Sequence, residues 1–365
     1  MILQAEQKPI EEMRSTNILP QTSYWARVKY RQGLTPGGFQ VKASSEVLSP
    51  DGGVAGSVEE DLLVLIQYVS DTQCFAYVPY GPKLEPVFEN HGVFLEELSE
   101  VIRPHLPPNC AHIRYDLLWE NQWASEEEHY DEAGNWLGPP PGHTQEFRLN
   151  FNTQNWNLRK SPGDLLPKNT FFLDLKQTEE QLLANMRPNT RYNVRRSLWR
   201  GIEVKAHGIE MLDTWYALYQ ETALRQGMVL HPKAYFEQVL AERNQPGVEV
   251  KLLMAEYAGQ YLASMLLVLS GQRGVYLFGA SSGARRELMP SYALQWEAIR
   301  LAKAHGCVEY DLFGCAPNLD PSHPLHGVHL YKKGFGGQLF HRMGCWDYPL
   351  DLERYELLKA QELQS

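Results

Sequence analysis

The amino-acid sequence predicts an α/β protein made of two domains. The chain has 365 residues, of which 43% are hydrophobic, and this is enough to build two cores of ordinary size. In both halves, short segments typical of strands alternate with segments that have the apolar spacing of a helix. Between the halves, from Trp119 to Lys168, the sequence is rich in Asn, Pro and acidic residues. That composition predicts a long loop or linker, with the domain boundary near its end.

The elements of the first half follow from apolar runs and their breaks. Leu62–Val69 and Cys74–Val78 flank a polar turn and predict a β-hairpin. Gly92–Ile102 has helical spacing and stops before Pro104. Ala111–Leu118, in which Ile113, Tyr115 and Leu117 alternate with polar residues, predicts a further strand.

The second half begins with a predicted strand at Thr170–Leu175. Thr178 then caps a helix, because Gln181 stands at the capping-box position. A second helix is predicted for Thr190–Arg200. The remaining predicted elements are the strand Gly201–Ala206, the helices Met211–Gln226 and Lys233–Arg243, the strands Val248–Tyr257, Tyr261–Leu269 and Gly274–Ala280, the helix Tyr292–His305 and the strand Cys307–Phe313. This order resembles the topology of GNAT acetyltransferases, a likeness that concerns fold and leaves function open.

Composition excludes several classes of protein. The formal net charge is −10, so the whole molecule is not a general binder of nucleic acid, and any anionic partner must meet a local basic patch. The N-terminal stretch lacks the apolar core of a signal peptide, and the longest apolar runs are too short to span a bilayer. The cysteines form no CxxC pair, as expected in a reducing compartment; they are Cys74, Cys110, Cys307, Cys315 and Cys345. We therefore expect a soluble cytoplasmic protein.

A basic helix is the first candidate binding element. Its arginines are Arg187, Arg191, Arg195, Arg196 and Arg200. Arg191 and Arg195 lie one helical turn apart, as do Arg196 and Arg200, so the charges cover a broad face. Arginine is also the side chain best suited to bidentate contact with phosphate. The alternative is a solvated helix face without a partner.

The segment Tyr331–Gly337 is the second candidate, because Lys332 and Lys333 precede a glycine-rich turn. Glycines allow the backbone to approach a phosphate closely. The order of residues is not that of a Walker loop, so nucleotide hydrolysis is not supported. The alternative is an ordinary β-turn that happens to follow two lysines.

Two motifs that would indicate a cofactor or a metal are missing from the sequence. Acetyltransferases that use coenzyme A carry an Arg/Gln-x-x-Gly-x-Gly/Ala loop at the junction before the predicted helix Tyr292–His305, and this chain lacks it. His323, His326 and His329 stand three apart in a predicted loop, but no carboxylate or cysteine completes a recognised metal spacing. We therefore expect no metal and no cofactor.

Several segments together resemble the FemABX peptidyltransferases. The segments are Leu166–Leu175, Met186–Gly201, Tyr276–Ser281, Pro290–Trp296, Tyr310–Gly314 and Leu330–Gly337, with weaker echoes at Trp25–Lys29, Tyr77–Pro82 and Ile113–Asp116. The resemblance implies two GNAT-like domains fused in tandem: residues 1–165, completed by 344–365, and residues 166–343. It also implies transfer of an amino acid from aminoacyl-tRNA to the stem peptide of a peptidoglycan precursor. No charged heptad segment is present, so the chain is similar to the FemX form that lacks a coiled-coil arm.

The same resemblance implies roles for individual residues. Lys29 and Arg225 match positions that hold the phosphates of the acceptor, and Tyr276 lies near a tyrosine that contacts it. Lys332 and Asp116 are the expected catalytic residues, and Tyr331 joins Lys332 at the donor site. The expected tRNA-binding residues are Arg187, Arg191, Arg195, Arg196 and Lys333. Val229 or a neighbour stands where the family has a second acceptor-binding tyrosine.

The implied partners are aminoacyl-tRNA and either UDP-MurNAc-pentapeptide or lipid II. A monomer is expected, and a peripheral contact with the membrane is compatible with a lipid-linked acceptor. Three other functions stay open at this point. They are an N-acetyltransferase that uses acetyl-CoA, a non-catalytic tRNA-binding protein on the same scaffold, and a Fem-like enzyme that acts outside the cell wall.

Overall fold

The structure of the protein is a computed structural model that describes residues 2–45, 56–132 and 134–364. The chain divides into two compact units. Unit 1 comprises Met1–Arg14, Pro20–Lys168 and His341–Ser365, and unit 2 comprises Ser15–Leu19 and Asn169–Phe340. Each unit is a mixed sheet with helices packed on it, so the predicted α/β class is confirmed.

The strands are β1 (Ile2–Lys8), β2 (Thr35–Ser44), β3 (Ser57–Ser70), β4 (Gln73–Val78), β5 (Cys110–Glu120), β6 (Arg159–Lys160), β7 (Asn169–Asp174), β8 (Glu203–His207), β9 (Asn244–Gln245), β10 (Val248–Tyr257), β11 (Gln260–Ser270), β12 (Arg273–Ser281), β13 (Glu309–Asp311) and β14 (Gln338–Pro349). The α-helices are α1 (Ser23–Arg31), α2 (His91–Ile102), α3 (Gly142–Leu149), α4 (Glu179–Asn185), α5 (Pro188–Trp199), α6 (Leu212–Gln226), α7 (Lys233–Ala241), α8 (Pro290–Ala304), α9 (His326–Lys333) and α10 (Leu352–Glu362). Among the residues described, no helix is both long enough and apolar enough to cross a bilayer.

The sheet of unit 1 has the order β1-β2-β3-β4-β5-β14. Every neighbouring pair is antiparallel except β4 and β5, which are parallel. The hairpin predicted from the sequence is the β3–β4 pair. Helix α2 connects the two parallel strands, and its apolar residues pack into the same core as Trp119, Trp346 and Tyr348.

The sheet of unit 2 has the order β7-β13-β12-β11-β10-β8. Here too a single pair is parallel, β12 with β13, and the described pairs on either side of it are antiparallel. Helix α8 connects the parallel strands, as a crossover between parallel strands requires. Its buried face packs with Phe171, Tyr310 and Phe335 in one apolar core. The two units therefore share one sequence of strand directions.

Local sequence accounts for several element ends. The capping box predicted at Thr178 and Gln181 is present, with each side chain bonded to the backbone amide of the other residue. Helix α6 ends at Gly227, which adopts the left-handed conformation (φ 63°) that glycine tolerates best. Helix α8 begins at Pro290, in the first-turn position that proline favours.

The structure corrects two expectations from sequence. Residues 119–168 are not a plain loop, since they contain α3 and β6 and bury the side chains of Trp123 and Trp136. Lys332 and Lys333 do precede a turn that contains Gly334 and Gly336, but together with Tyr331 they form the last turn of α9, a helix that was not predicted from the sequence. His326 and His329 lie in the same helix and not in a loop. The buried residues of this helix are His329 and Lys332, and burial of such polar side chains cannot be predicted from local sequence.

Candidate active site

The parallel strands β12 and β13 separate early and leave room for side chains. Their pairing covers Arg273–Val275 opposite Glu309–Asp311 and then stops. Two residues beyond it adopt left-handed backbone conformations, Phe278 (φ 49°) and Phe313 (φ 57°). Non-glycine residues rarely adopt this conformation, and such residues cluster at functional sites. The point at which β12 and β13 separate is therefore a candidate active site.

Lys332 projects to this point from the end of α9. Its side chain is buried, and Nζ donates to the carbonyl oxygens of Phe313 (2.9 Å) and Gly314 (2.7 Å). The same nitrogen lies 5.0 Å from the centroid of the Tyr276 ring, which favours a cation electrostatically. Burial lowers the pKa of Lys332 to about 8. The side chain is thus a shielded ammonium that loses its proton in the mildly alkaline range.

Tyr276 stands on β12 where the pairing with β13 has ended. Its hydroxyl oxygen occupies space that a side chain at position 279 would fill, so Gly279 is required for this placement. Burial raises the pKa of Tyr276 to about 12. The phenol therefore keeps its proton at neutral pH and is able to donate a hydrogen bond to a bound group.

Tyr331 precedes Lys332 in α9 and has a different environment. Its hydroxyl donates to the carbonyl oxygen of Ser291 (2.9 Å). Its ring packs against Tyr292 and Phe335, with centroid distances of 5.3 and 5.2 Å. These contacts anchor α9 to α8, so the observed role of Tyr331 is to hold the helix that carries Lys332. Its contact with a donor substrate stays a prediction.

Arg225 lies in the last turn of α6, beside the end of β12. Its Nη2 donates to both the carbonyl and the hydroxyl oxygen of Ser281, each at 3.0 Å. Glu221 approaches Nη1 at 3.7 Å. The residue is exposed, so the guanidinium is fixed in place and still open to an anion. Val229, in the loop that follows α6, is 86% exposed and offers no polar group.

The basic helix α5 uses part of its charge inside the fold. Arg191 Nη1 donates to the carbonyl oxygens of Ala184 (3.0 Å), Leu183 (3.3 Å) and Met186 (3.3 Å) and so caps the end of α4. Arg196 covers the ring of the neighbouring Tyr192. Arg187 and Arg195 are exposed, and their contact with phosphate stays a prediction.

Lys333 extends this basic face. Burial and the neighbouring charge of Arg187 lower its pKa. The ends of α9 and α5 meet, since the Arg187 amide donates to the carbonyl oxygen of Gly334 (2.9 Å). A side chain at position 334 would collide with the hydroxyl of Thr190. Glycine at this position therefore allows the basic ends of the two helices to come together.

In unit 1, Asp116 lies within β5 and not at a strand end as the sequence suggested. It is fully buried and accepts hydrogen bonds from the Tyr77 hydroxyl (2.9 Å) and the Leu166 amide (3.0 Å). Burial raises the pKa of Asp116 to about 6, although the Tyr77 hydrogen bond opposes that shift. The carboxyl group therefore titrates close to neutral pH.

Lys29 lies in the last turn of α1, also in unit 1. Its Nζ donates to Gln32 Oε1 (2.9 Å) and stands 4.9 Å from the centroid of the Trp25 ring. Burial lowers the pKa of Lys29 to about 8. The ammonium is thus partly shielded from water, which strengthens its attraction for a phosphate.

The described residues give no support to a histidine metal site. Among them, the group of potential ligands close enough to share an ion is Glu126, Glu128 and His129. It lies in unit 1, and Glu126 is already paired with Arg148 at 3.0 Å. His329 instead bonds through Nδ1 to the carbonyl oxygen of Ala316 (2.8 Å).

Three predicted site residues meet in unit 2, namely Lys332, Tyr276 and Tyr331. The residues that shape their surroundings lie in segments that resemble the family, but no individual role was predicted for them; they are Thr170, Asp311, Phe313 and Gly314. An Asp two residues before the left-handed Phe313 is a spacing typical of an Asx turn. This spacing could have indicated the turn, but both residues fell inside the predicted strand Cys307–Phe313.

The comparisons with known proteins agree with this architecture. A crystal structure of FemX superposes on 98% of this chain and all of its own, with a TM-score of 0.71 and 18% sequence identity. This likeness establishes the fold, and the chain is a tandem of two GNAT-like domains. Residues 158–257 and 247–362 match the FemAB family. The chain belongs to the FemAB family.

Curated relatives carry a more specific name. "Lipid II:glycine glycyltransferase" of Staphylococcus haemolyticus is 23% identical over 274 residues, which cover 58% of this chain and 65% of that protein. The protein of the same name from Staphylococcus aureus is 23% identical over 276 residues, with 58% and 66% covered. The chain thus spans slightly less than two thirds of the length of these relatives.

Proposed function

We propose that the protein transfers an amino acid from aminoacyl-tRNA to the stem-peptide amine of a peptidoglycan precursor. The observation that carries this proposal is the buried Lys332 ammonium at the separation of β12 and β13, in a member of the FemAB family. Relatives named for transfer of glycine to lipid II support the same reaction class. A tRNA-borne donor would place the reaction in the cytoplasm.

The reaction is aminolysis of an ester. The amine of the acceptor attacks the carbonyl carbon of the aminoacyl ester, a C–N bond forms, and the C–O bond to the tRNA ribose breaks. The departing ribose oxygen takes up the proton that the amine loses. Because the ester is already activated, most of the catalysis comes from alignment of the two substrates.

Lys332 supplies the electrostatic part of this catalysis. Negative charge develops on the carbonyl oxygen in the tetrahedral intermediate, and a fixed donor near that oxygen stabilises the transition state by about 3 kcal/mol. The ammonium is held by two carbonyl oxygens and an aromatic ring, so little reorganisation is needed when the charge appears. The protonated phenol of Tyr276 lies beside it and orients a substrate carbonyl or amide.

The acceptor is recognised by its phosphates and its amine. Lys29 and Arg225 are the proposed contacts to the diphosphate, since both cations are fixed by hydrogen bonds before any ligand arrives. Asp116 is the proposed group that orients the amine, or accepts a proton from it. UDP-MurNAc-pentapeptide and lipid II share this chemistry, so both are proposed acceptors.

The tRNA is bound through its phosphates by the exposed cations at α5 and the end of α9. Arg187, Arg195 and Lys333 are the main contributors, and Arg196 adds to the same surface. Neutralisation of phosphates releases counterions, so affinity for tRNA should fall steeply with salt. Arg191 contributes mainly through the cap of α4.

Mass spectrometry of cell-wall stem peptides, with and without the gene, tests this function in the cell. Stem peptides that carry a bridge or branch residue should be present with the gene and lost without it. Restoration by the wild-type gene, but not by one that encodes Lys332→Ala, would tie the change to this site. Identical stem peptides in all strains would refute a role in peptidoglycan.

A further inference from the structure

Asp311, the last residue of β13, organises the turn that follows it. Its side chain is almost completely buried, and its Oδ1 accepts two hydrogen bonds. One comes from the hydroxyl of Thr170 (2.5 Å) on β7, and the other from the backbone amide of Phe313 (2.7 Å). A carboxylate that bonds the amide two residues later closes an Asx turn. Asp311 therefore fixes the backbone at Phe313 from one side, and Thr170 fixes Asp311 from the other.

This turn determines where Lys332 is held. Phe313 adopts the left-handed conformation (φ 57°), which non-glycine residues maintain only when their surroundings enforce it. In that conformation the carbonyl oxygens of Phe313 and Gly314 both accept from Lys332 Nζ. The chain of contacts thus runs from Thr170 through Asp311 and the turn to the lysine.

We propose that Asp311 is the positioning residue for Lys332: through its Asx turn it sets the two carbonyl oxygens that hold the ammonium. This inference rests on the proposed function for its catalytic meaning, whereas the geometric part stands on the contacts alone. Thr170 secures the carboxylate and has a smaller effect, because the hydrogen bond from the Phe313 amide remains when Thr170 is removed.

The charge of Asp311 also affects Lys332, in addition to the turn that Asp311 closes. The groups that face Lys332 are Asp311 and Cys315 from the segment around the end of β13, and the Tyr276 ring from β12. Burial lowers the pKa of Lys332, and the charges of Cys315 and Asp311 oppose that effect. Removal of the Asp311 charge should therefore lower the pKa of Lys332 further.

Titration of the lysine gives a test that needs no substrate. Lysine labelled with ¹³C is followed by NMR in the wild type, in Asp311→Ala and in Asp311→Asn, and Lys332→Arg identifies the signal. We expect the midpoint of Lys332 to fall by about one pH unit in Asp311→Ala, which removes both the Asx turn and the charge. It should fall by less in Asp311→Asn, whose amide oxygen still accepts from the Phe313 amide, and by less in Thr170→Val. Asp174→Asn, an exposed aspartate on β7, is the matched control and should leave the midpoint unchanged. An unchanged midpoint in folded Asp311→Ala would overturn the proposal.

Transfer kinetics give the second test. Asp311→Ala should lower kcat roughly tenfold with a smaller change in KM, and Asp311→Asn, which keeps the turn, should lower it less. In the Lys332→Ala background Asp311→Ala should cause no further loss, because both changes remove one interaction. Losses that multiply would show an independent structural role and overturn the proposal. If the wild type transfers nothing, the proposed function fails while the titration still decides the role of Asp311.

Discussion

Lys332 has an environment unlike that of a surface lysine. Two carbonyl oxygens and an aromatic ring surround its ammonium, and burial lowers its pKa to about 8. Asp116 is shifted in the opposite direction, to a pKa of about 6, because its carboxyl group is buried. Buried groups with strongly shifted pKa values are candidates for functional sites. Lys332 and Asp116 are therefore the residues at which substitutions should change the chemistry.

Lys332→Ala should lower the rate of amino-acid transfer by at least about tenfold, because one preorganised electrostatic contact is lost. The rate is measured with Ala-, Ser- and Gly-tRNA and a muramoyl-pentapeptide acceptor. Lys176→Ala, at an exposed lysine of the same unit, controls for a general effect of lost charge. Melting curves check that the variant is folded. Unchanged turnover in folded Lys332→Ala would exclude a catalytic role for this lysine.

The rate of transfer should depend on pH on both sides of neutrality. Above about pH 8 Lys332 loses its proton, and below about pH 6 Asp116 gains one, so a bell-shaped profile is expected. Lys332→Arg should move the alkaline limb upward, because arginine keeps its charge. Asp116→Asn should remove the acid limb. An alkaline limb that is the same in wild type and Lys332→Arg would contradict the assignment.

The same shift has a consequence for stability. The folded-state pKa of Lys332 lies below the unfolded value, so the unfolded chain binds more protons between about pH 8 and 10.4. The contribution of this lysine to the free energy of unfolding should therefore rise with pH across that window. Lys332→Met, which keeps the volume and removes the charge, should abolish this contribution. Denaturant titrations at several pH values measure it, and an identical pH dependence in both proteins would count against the shift.

Lys29→Ala and Arg225→Ala should raise the KM for the acceptor more than they lower kcat. Both cations are proposed to contact acceptor phosphates that do not change during the reaction, and such contacts contribute to binding in the ground state and the transition state alike. Lys359→Ala, on α10, is a control that leaves both constants unchanged. Loss confined to kcat would argue against phosphate binding by Lys29 and Arg225.

At the scale of elements, helix α5 shows how one sequence pattern serves two purposes. The arginine spacing predicted a continuous phosphate-binding face, but Arg191 turns back onto the carbonyl end of α4. Arg195, one turn later, is exposed. The two arginines are alike in sequence and differ in what surrounds them, so they form a natural pair for comparison.

Arg191→Ala should lower the free energy of unfolding by about 1 kcal/mol, because a cation near a helix C-terminus is lost. Arg195→Ala should leave stability unchanged, weaken tRNA binding and lower the salt slope of binding by about 1. Denaturant unfolding and filter binding at several salt concentrations measure the two effects. The reverse result, with stability lost in Arg195→Ala and tRNA affinity lost only in Arg191→Ala, would overturn this division of roles.

Local sequence predicted some elements well and missed others for a physical reason. The capping box at Thr178 and the stop at Gly227 are short-range signals, and their helices could be placed from sequence. Helix α9 could not, because the burial of His329 and Lys332 depends on residues 313–316, which are brought close only by the fold. The same reason hides the Asp311 turn. Lys332 could be selected from a family resemblance, but the carbonyl oxygens that bind its ammonium group could not be predicted.

At the scale of the whole molecule, the two units share one order of strand directions around a single parallel pair. The tandem GNAT-like fold predicted from the sequence is confirmed. The units differ in the side chains at their parallel pair. Unit 2 places Lys332 and Tyr276 there, whereas unit 1 buries Asp116 and Tyr77. One scaffold therefore presents a cation in one unit and a carboxyl group in the other.

We propose that this chain moves an amino acid from tRNA to a peptidoglycan precursor. The most direct test combines purified protein with Gly-, Ala- or Ser-tRNA and with UDP-MurNAc-pentapeptide or lipid II, and follows the acceptor by mass spectrometry. We expect that the acceptor gains the mass of one aminoacyl residue, that Lys332→Ala largely removes this gain, and that acetyl-CoA does not replace the charged tRNA. An acceptor of unchanged mass with every charged tRNA, or acetylation from acetyl-CoA in its place, would contradict the proposed function.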